Sequence, residues 1–204
     1  MPAIYHFTDV DNLEGIFADG ELRAHRTAGC VVDVADNSIK SRRTRIDVRC
    51  GPGGKVCDYV PFYFAPRSPM LFRIQAGGVD GVSPDQARIV YFRSSTEVLL
   101  DGGVPCVFTD GNAAAAFTTF HDDPDQLGDV VDWALMRERY WSNTADDNDR
   151  VRRRCAEFLA HEAVPLDLIE EIGVYGSGAQ STVEAIIAAA GASIGVRIRR
   201  DWYF

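Results

Sequence analysis

No stretch of 18 or more apolar residues occurs in the 204-residue chain, which excludes an ordinary membrane-spanning helix. No charged-then-apolar leader follows Met1, so a cytoplasmic protein without a membrane partner is expected. Low-complexity tracts are also missing, and the length suits one domain able to bury roughly 70% of its unfolded surface. The five cysteines (Cys30, Cys50, Cys57, Cys106, Cys155) include no CxxC pair, and their number is odd. Free thiols in a reducing compartment fit this better than a disulfide framework or a zinc site, and no metal is assigned. Net positive charge is lacking as well. A formal charge of −9 argues against general nucleic-acid affinity, which rests on neutralising phosphates.

Distribution modifies that last exclusion. Eight of the 21 basic residues fall in two short runs, 40–45 (Lys40, Arg42, Arg43, Arg45) and 150–154 (Arg150, Arg152, Arg153, Arg154). The acids concentrate at 122–132 and 146–149. Such a chain either carries two solvated charged faces or holds one strand of nucleic acid in a local basic groove. Trp133 and Trp141 are available to line that groove, although core packing is the commoner fate of a tryptophan.

The richest stretch runs from Asp58 to Met70, with four aromatics, three prolines and Arg67 in thirteen residues. Tyr59 to Ala65 has strand composition, while Pro61, Pro66 and Pro69 oppose ordinary continuation. This reads either as a core strand with a proline stop or as a shelf for a flat heteroaromatic ligand carrying phosphates. Upstream, Ile4 to Phe7 reads as a strand, with Thr8 as N-cap of a helix through Asn12-Leu13-Glu14-Gly15-Ile16-Phe17 that stops at Gly20. His6 then lies at a strand-to-helix junction, where it is either a structural histidine, the commoner case, or one that points into a cleft. Residues 24–57 show little periodicity and read as a functional loop with a short helix near 39–45.

Further on, residues 71–74 read as a turn or strand. Residues 89–92 and 105–109 read as buried strands around a helical or irregular 94–100. Residues 113–117 begin a small-residue helix, and another helix is expected over 130–140. Residues 165–172 suggest a short helix, 173–175 a strand, 179–190 a helix and 194–202 the last strand. Short strands mixed with short helices indicate an α+β domain.

Side by side, these pieces resemble the DarT family of DNA ADP-ribosyltransferase toxins. The resemblance rests on Tyr5-His6-Phe7-Thr8 with Asn12-Leu13, Ile39-Lys40-Ser41-Arg42-Arg43, Tyr59 to Met70, Gly111 to Ala115, Asp132-Trp133, Tyr140-Trp141, Arg152 to Leu159, and Val164-Pro165, in family order over nearly the whole length. It implies a single PARP-like ADP-ribosyltransferase domain over 1–204, with a split antiparallel β-sheet, flanking helices and an NAD cleft. NAD is then the co-substrate. Residues 28–46 would cover it, and 116–157 would read the DNA. His6, Phe7, Thr8, Gly15, Arg43 and Tyr63 are the expected donor-pocket residues. Glu157 and Arg43 are the expected catalytic pair, with Arg42 or Arg45 as neighbours in an uncertain register. Arg150, Arg153, Arg154 and Trp141 are the expected nucleic-acid contacts.

The implied reaction moves ADP-ribose to a thymine base of single-stranded DNA, and the implied partner is a DarG-like macrodomain antitoxin. Guanine, RNA or protein acceptors and a catalytically silent NAD-binding module are the competing readings. The residue types suit the chemistry, because a carboxylate at the ribose stabilises the positive charge that builds as nicotinamide leaves. Glu157 has two possible settings: one helix over 149–161, making it a surface ion pair, or a strand entrance facing the cleft. The resemblance favours the strand.

Overall fold

A computed structural model describes residues 2–25, 27, 29, 31–34, 37–79 and 81–204. Cys30 lies outside them; the other four cysteines are free thiols. Strand β1 (Ala3–Asp9) passes through a single 3-10 turn into helix α1 (Leu13–Asp19), which ends on Gly20 in the left-handed region at φ 73°. Strand β2 (Glu21–Arg23), helix α2 (Asn37–Arg43) and strand β3 (Tyr59–Tyr63) follow. Helix α3 (Pro69–Gln75), strand β4 (Ile89–Ser95), helix α4 (Thr96–Asp101) and strands β5 (Cys106–Thr109) and β6 (Phe120–His121) make up the middle. Short helices α5 (Leu127–Val130), α6 (Trp133–Arg137) and α7 (Arg150–Arg154) then precede strands β7 (Glu157–His161), β8 (Ala163–Pro165) and β9 (Glu171–Val174). Helix α8 (Ser177–Ala189) and strand β10 (Val196–Ile198) finish the chain.

The main sheet has the order β10-β9-β4-β1-β3-β7-β5-β6 and is antiparallel except between β9 and β10. Strand β1 pairs with β4 along its whole length, from Ala3↔Ser95 to Asp9↔Ile89, yet meets β3 only at Tyr5↔Tyr63. That single contact splits the sheet into two halves. On the far half, β3 and β7 run in register from Tyr59↔His161 to Tyr63↔Glu157, so Glu157 lies across the ladder from the residue at the split. One core layer gathers Ile4, Leu13, Phe62, Phe92, Phe158 and Val183. A second packs Phe7, Leu71, Ile74 and Tyr91 against Trp202, whose ring covers Gly173 so closely that a Cβ there would fall 2.2 Å from it.

Several local expectations change for identifiable reasons. Thr8 stays in the ladder opposite Val90, and Asp9 becomes the cap, its carboxylate accepting from Asp11 N. Residues 71–74 are helical because Ser68 caps them, accepting from Leu71 N, and Pro69 sits in the first turn, where its missing N–H costs nothing. Residues 113–117 are a turn, since the Asn112 side chain takes Ala114 N and its carbonyl takes Ala115 N. The helix expected over 130–140 breaks at Asp132, which caps α6. The 165–172 helix is replaced by the end of β8, a 3-10 turn at Leu166–Leu168 and the start of β9. The last strand is only β10, followed by a 3-10 turn at Arg200–Trp202.

Candidate active site

At the split, β1 and β3 diverge and leave a cleft of about 480 Å³. All six expected donor-pocket residues, His6, Phe7, Thr8, Gly15, Arg43 and Tyr63, line it. His6 Nδ1 lies 2.8 Å from the Pro61 carbonyl, which can only accept, so Nδ1 carries the proton and Nε2 is left as an acceptor. Burial pulls the imidazole pKa below its ordinary value; the bond to Pro61 opposes this and the Arg43 charge reinforces it. The ring is therefore neutral at neutral pH. Phe7 and Tyr63 stack at 6.0 Å with only 16° between their planes, a slab suited to a flat aromatic ring. Burial, with nearby Glu157, pushes the Tyr63 phenol well above its usual range and keeps it a donor.

Glu157 opens β7 directly after α7, which settles its setting in favour of the strand. It is only 2% exposed, and both carboxylate oxygens are held. Oε1 accepts from Ala113 N at 3.0 Å and Oε2 from Arg43 Nη1 at 2.7 Å. Its backbone N–H donates to Thr109 Oγ1 at 3.0 Å, and that hydroxyl donates to Gly111 O. The turn that failed to become a helix thus supplies a fixed N–H to the carboxylate. Arg43 comes from the opposite rim, on α2, so the basic run near 40 places one guanidinium at the carboxylate while Arg42 and Arg45 remain exposed. Its Nη2 is buried without a hydrogen-bond partner, an orphan donor beside the cleft that a substrate acceptor would satisfy.

Asn12 was quoted above only as part of a motif, yet it organises the cleft's outer wall. Its amide donates to Thr8 Oγ1 and Val32 O, and its carbonyl accepts from Val31 N and Val32 N. A buried asparagine in the first turn of a helix was the only signal. Thr109 and Ala113 were likewise missed as supports of Glu157.

The expected nucleic-acid arginines are placed differently. Arg150 donates to Glu138 and to the carbonyls of Tyr140 and Ser142. Arg153 pairs with Asp132 at 2.9 Å and with Asp147. Arg154 departs furthest from a phosphate contact. It is 4% exposed, and its guanidinium holds the carbonyls of Leu135, Met136 and Arg67. Desolvation lowers its pKa to about 10, still far above neutral, so the buried charge persists. Trp141 is half-exposed, edge-on to Phe72 at 5.9 Å. Among the described residues no group of three or more His, Cys, Asp or Glu side chains is placed to hold a metal ion, and no helix is long and apolar enough to cross a membrane.

A sheet split at one residue pair, with a neutral histidine on β1 to one side and a stacked tyrosine and a fixed glutamate on β3 and β7 to the other, defines an ADP-ribosyltransferase. The family model described as DarT, ssDNA thymidine ADP-ribosyltransferase, matches residues 5–204, and the chain belongs to that family. A DNA ADP-ribosyl transferase of Thermus aquaticus is 37% identical over 204 residues, 98% of this chain and 88% of the relative. The structure of Thermus sp. 2.9 DarT in complex with ADP-ribosylated ssDNA matches with a TM-score of 0.94 at 36% identity, covering 100% of this chain and 96% of that one. The same protein in complex with NAD+ gives 0.89 at 33% identity, covering 100% and 98%. A DNA ADP-ribosyl transferase-DNA ADP-ribosyl glycohydrolase fusion protein of Thermosipho africanus is 26% identical over 176 residues, 84% of this chain and 42% of that protein.

Proposed function

We propose that this chain transfers ADP-ribose from NAD to a thymidine base of single-stranded DNA, releasing nicotinamide. The observation that carries the reading is the Arg43–Glu157 pair, which stands where the donor cleft meets the turn at Ala113. The Phe7–Tyr63 slab and the His6 acceptor fit the nicotinamide end, and the 31–32 segment tied down by Asn12 covers the donor. Glu157, held by Ala113 N and Arg43, presents negative charge to the ribose and stabilises the oxocarbenium-like transition state as the glycosidic bond breaks. As the bond from ribose to nicotinamide breaks and the new C–N bond forms, the thymine ring nitrogen gives up its proton to solvent water, so NAD and thymidine yield the modified base, nicotinamide and one proton. Arg43 stays protonated, so its role is to stabilise the negative charge on the base rather than to take the proton.

Relatives that join the transferase to a glycohydrolase support a partner that reverses the modification, an antitoxin to this toxin. A DNA substrate and an NAD donor support a cytoplasmic location. Mass spectrometry of a short thymine-containing oligonucleotide after reaction with NAD tests the proposal. A gain of one ADP-ribose, lost in Glu157→Gln, is expected. Label appearing on added RNA or protein and not on the oligonucleotide would sink it.

A further inference from the structure

Beyond the cleft, Phe72 on α3 meets rings from two other segments in a cluster that the donor pocket does not use. Phe72 is 45% exposed and packs edge-on against Trp141 at 5.9 Å and Phe204 at 5.3 Å. The Arg67 guanidinium lies 4.8 Å from the centre of the Phe204 ring. Among the described residues no carboxylate pairs with Arg67, and its Nε is buried without a hydrogen-bond partner. This cation on a partly exposed aromatic surface contrasts with the paired arginines of α7. Nothing in the fold requires Phe72 to be aromatic, because Leu71 and Ile74 already anchor α3 in the core.

The cluster is joined to both halves of the reaction centre. Met70, two residues before Phe72, lines the donor cleft. Arg154, three residues before Glu157, bonds the Arg67 carbonyl on one side and the loop carbonyls of Leu135 and Met136 on the other. Tyr140, 78% exposed beside Arg139, extends the same loop next to Trp141. Rings with an adjacent cation are how proteins grip unpaired bases, since any base offers a face for stacking and the cation meets the backbone phosphate.

We propose that Phe72, Trp141 and Phe204, with Arg67 beside them, form a stacking subsite for a base of the DNA strand flanking the target thymidine. The inference rests on the DNA acceptor proposed above and adds to it which face of the protein the strand crosses. A strand held there is anchored on the same elements that carry Met70 and Glu157, so flank binding and target placement are mechanically linked.

Steady-state kinetics with thymine oligonucleotides, each bearing one abasic site at a different flanking position, test the subsite in wild type, Phe72→Ala, Trp141→Ala and Phe72→Trp. Loss of one stacked base corresponds to about 5- to 150-fold in affinity. Phe72→Ala and Trp141→Ala are therefore expected to raise the KM for the oligonucleotide about tenfold, with the KM for NAD within twofold. One abasic position should cost the wild type a similar factor and cost Phe72→Ala nothing more, and Phe72→Trp should restore the intact substrate's KM. An oligonucleotide KM within twofold of wild type in both alanine variants, or an undiminished abasic penalty in Phe72→Ala, overturns the subsite while leaving the transferase reading intact. A wild-type protein that modifies no thymine oligonucleotide overturns both.

Discussion

The basic runs 40–45 and 150–154 have nearly the same composition, and the fold puts them to opposite uses. In the first, α2 carries Arg43 across the cleft to Glu157 and leaves Arg42 and Arg45 exposed. In the second, the surroundings of α7 engage every arginine: Arg150 pairs with Glu138, Arg152 with Asp110 and Asp149, Arg153 with Asp132 and Asp147, while Arg154 keeps its charge and is held by backbone carbonyls. The acidic residues that make the chain as a whole unattractive to DNA are thus partly spoken for within this loop. A run of positive charge specifies a cationic surface only when its own neighbours do not supply the counter-charges. Here the neighbouring acids at 132 and 147–149 turn a presumptive groove into the scaffold that delivers Glu157.

Arg43→Ala tests the first half of this comparison and carries the largest expected effect. It removes what is, among the described residues, the only side-chain donor to the nearly buried Glu157 carboxylate, and the cation beside the acceptor. Loss of one such transition-state contact costs about 10²–10³-fold in rate. Oligonucleotide modification should fall by that factor or more, with Arg42→Ala within about threefold of wild type. Equal effects at the two positions would dissolve the distinction between the delivered arginine and its exposed neighbours.

For the second half, Arg154→Ala should act through the fold. It takes the guanidinium from the carbonyls of Leu135, Met136 and Arg67, the first of which keeps Glu138 N, and empties a buried volume, at a cost of about 2–4 kcal/mol. Calorimetry should show Tm lowered by about 5–15 °C. Arg154→Lys should recover only part, because an ammonium cannot fork between carbonyls in different segments. A variant with wild-type Tm and lost oligonucleotide binding would return Arg154 to the DNA interface.

A smaller effect separates the donor side from both arginine runs. The His6 pKa lies below its ordinary value in the folded protein, so unfolding takes up a proton once the pH drops under about 6.5. Stability is therefore full above that pH and declines as pH falls toward the folded-state pKa. His25, shifted the same way by burial and by the charge of Lys40, adds to the slope. His6→Gln should flatten the decline of Tm between pH 7 and 5 in part. An unchanged slope would mean that His6 is solvated and not the buried acceptor described above.

How much was legible in the sequence follows the same division. His6, Tyr63 and Glu157 were singled out by the motifs that resemble the DarT family, since composition alone left a structural histidine, a core strand and a surface ion pair open; the register Tyr5↔Tyr63↔Glu157 then aligns the strands that carry them. The turn at 113–117 was not, since its alanines favour a helix locally. What overrides them is Asn112, whose side chain and carbonyl capture the N–H groups of Ala114 and Ala115, and the carboxylate of Glu157, far away in sequence, that takes Ala113 N. Residues 71–74 were misread because Pro66 and Pro69 look like breakers when Pro69 in fact starts the helix behind Ser68. Arg154 was misread for a related reason: no local pattern says that a loop some 16 to 19 residues earlier will surround it with carbonyls. Local caps at Ser68 and Asn112 decide the first two cases, and long-range hydrogen bonds fix Ala113 to Glu157 and Arg154 to its carbonyls.

The smallest expected effect is the sharpest on the comparison itself. Arg150→Ala and Arg153→Ala each remove partly exposed ion pairs, worth at most about 1 kcal/mol to the fold. If these arginines touched phosphates, each loss would also lower the salt dependence of oligonucleotide binding by about 0.7 in the slope of log K against log salt. Arginines already paired with Glu138, Asp132 and Asp147 have no counterions of DNA to replace, so the slope should stay that of the wild type. Fluorescence anisotropy across a salt series checks this directly. A reduced slope in either variant would mean that DNA displaces the internal carboxylates, and the two basic runs would then differ only in the unbound protein.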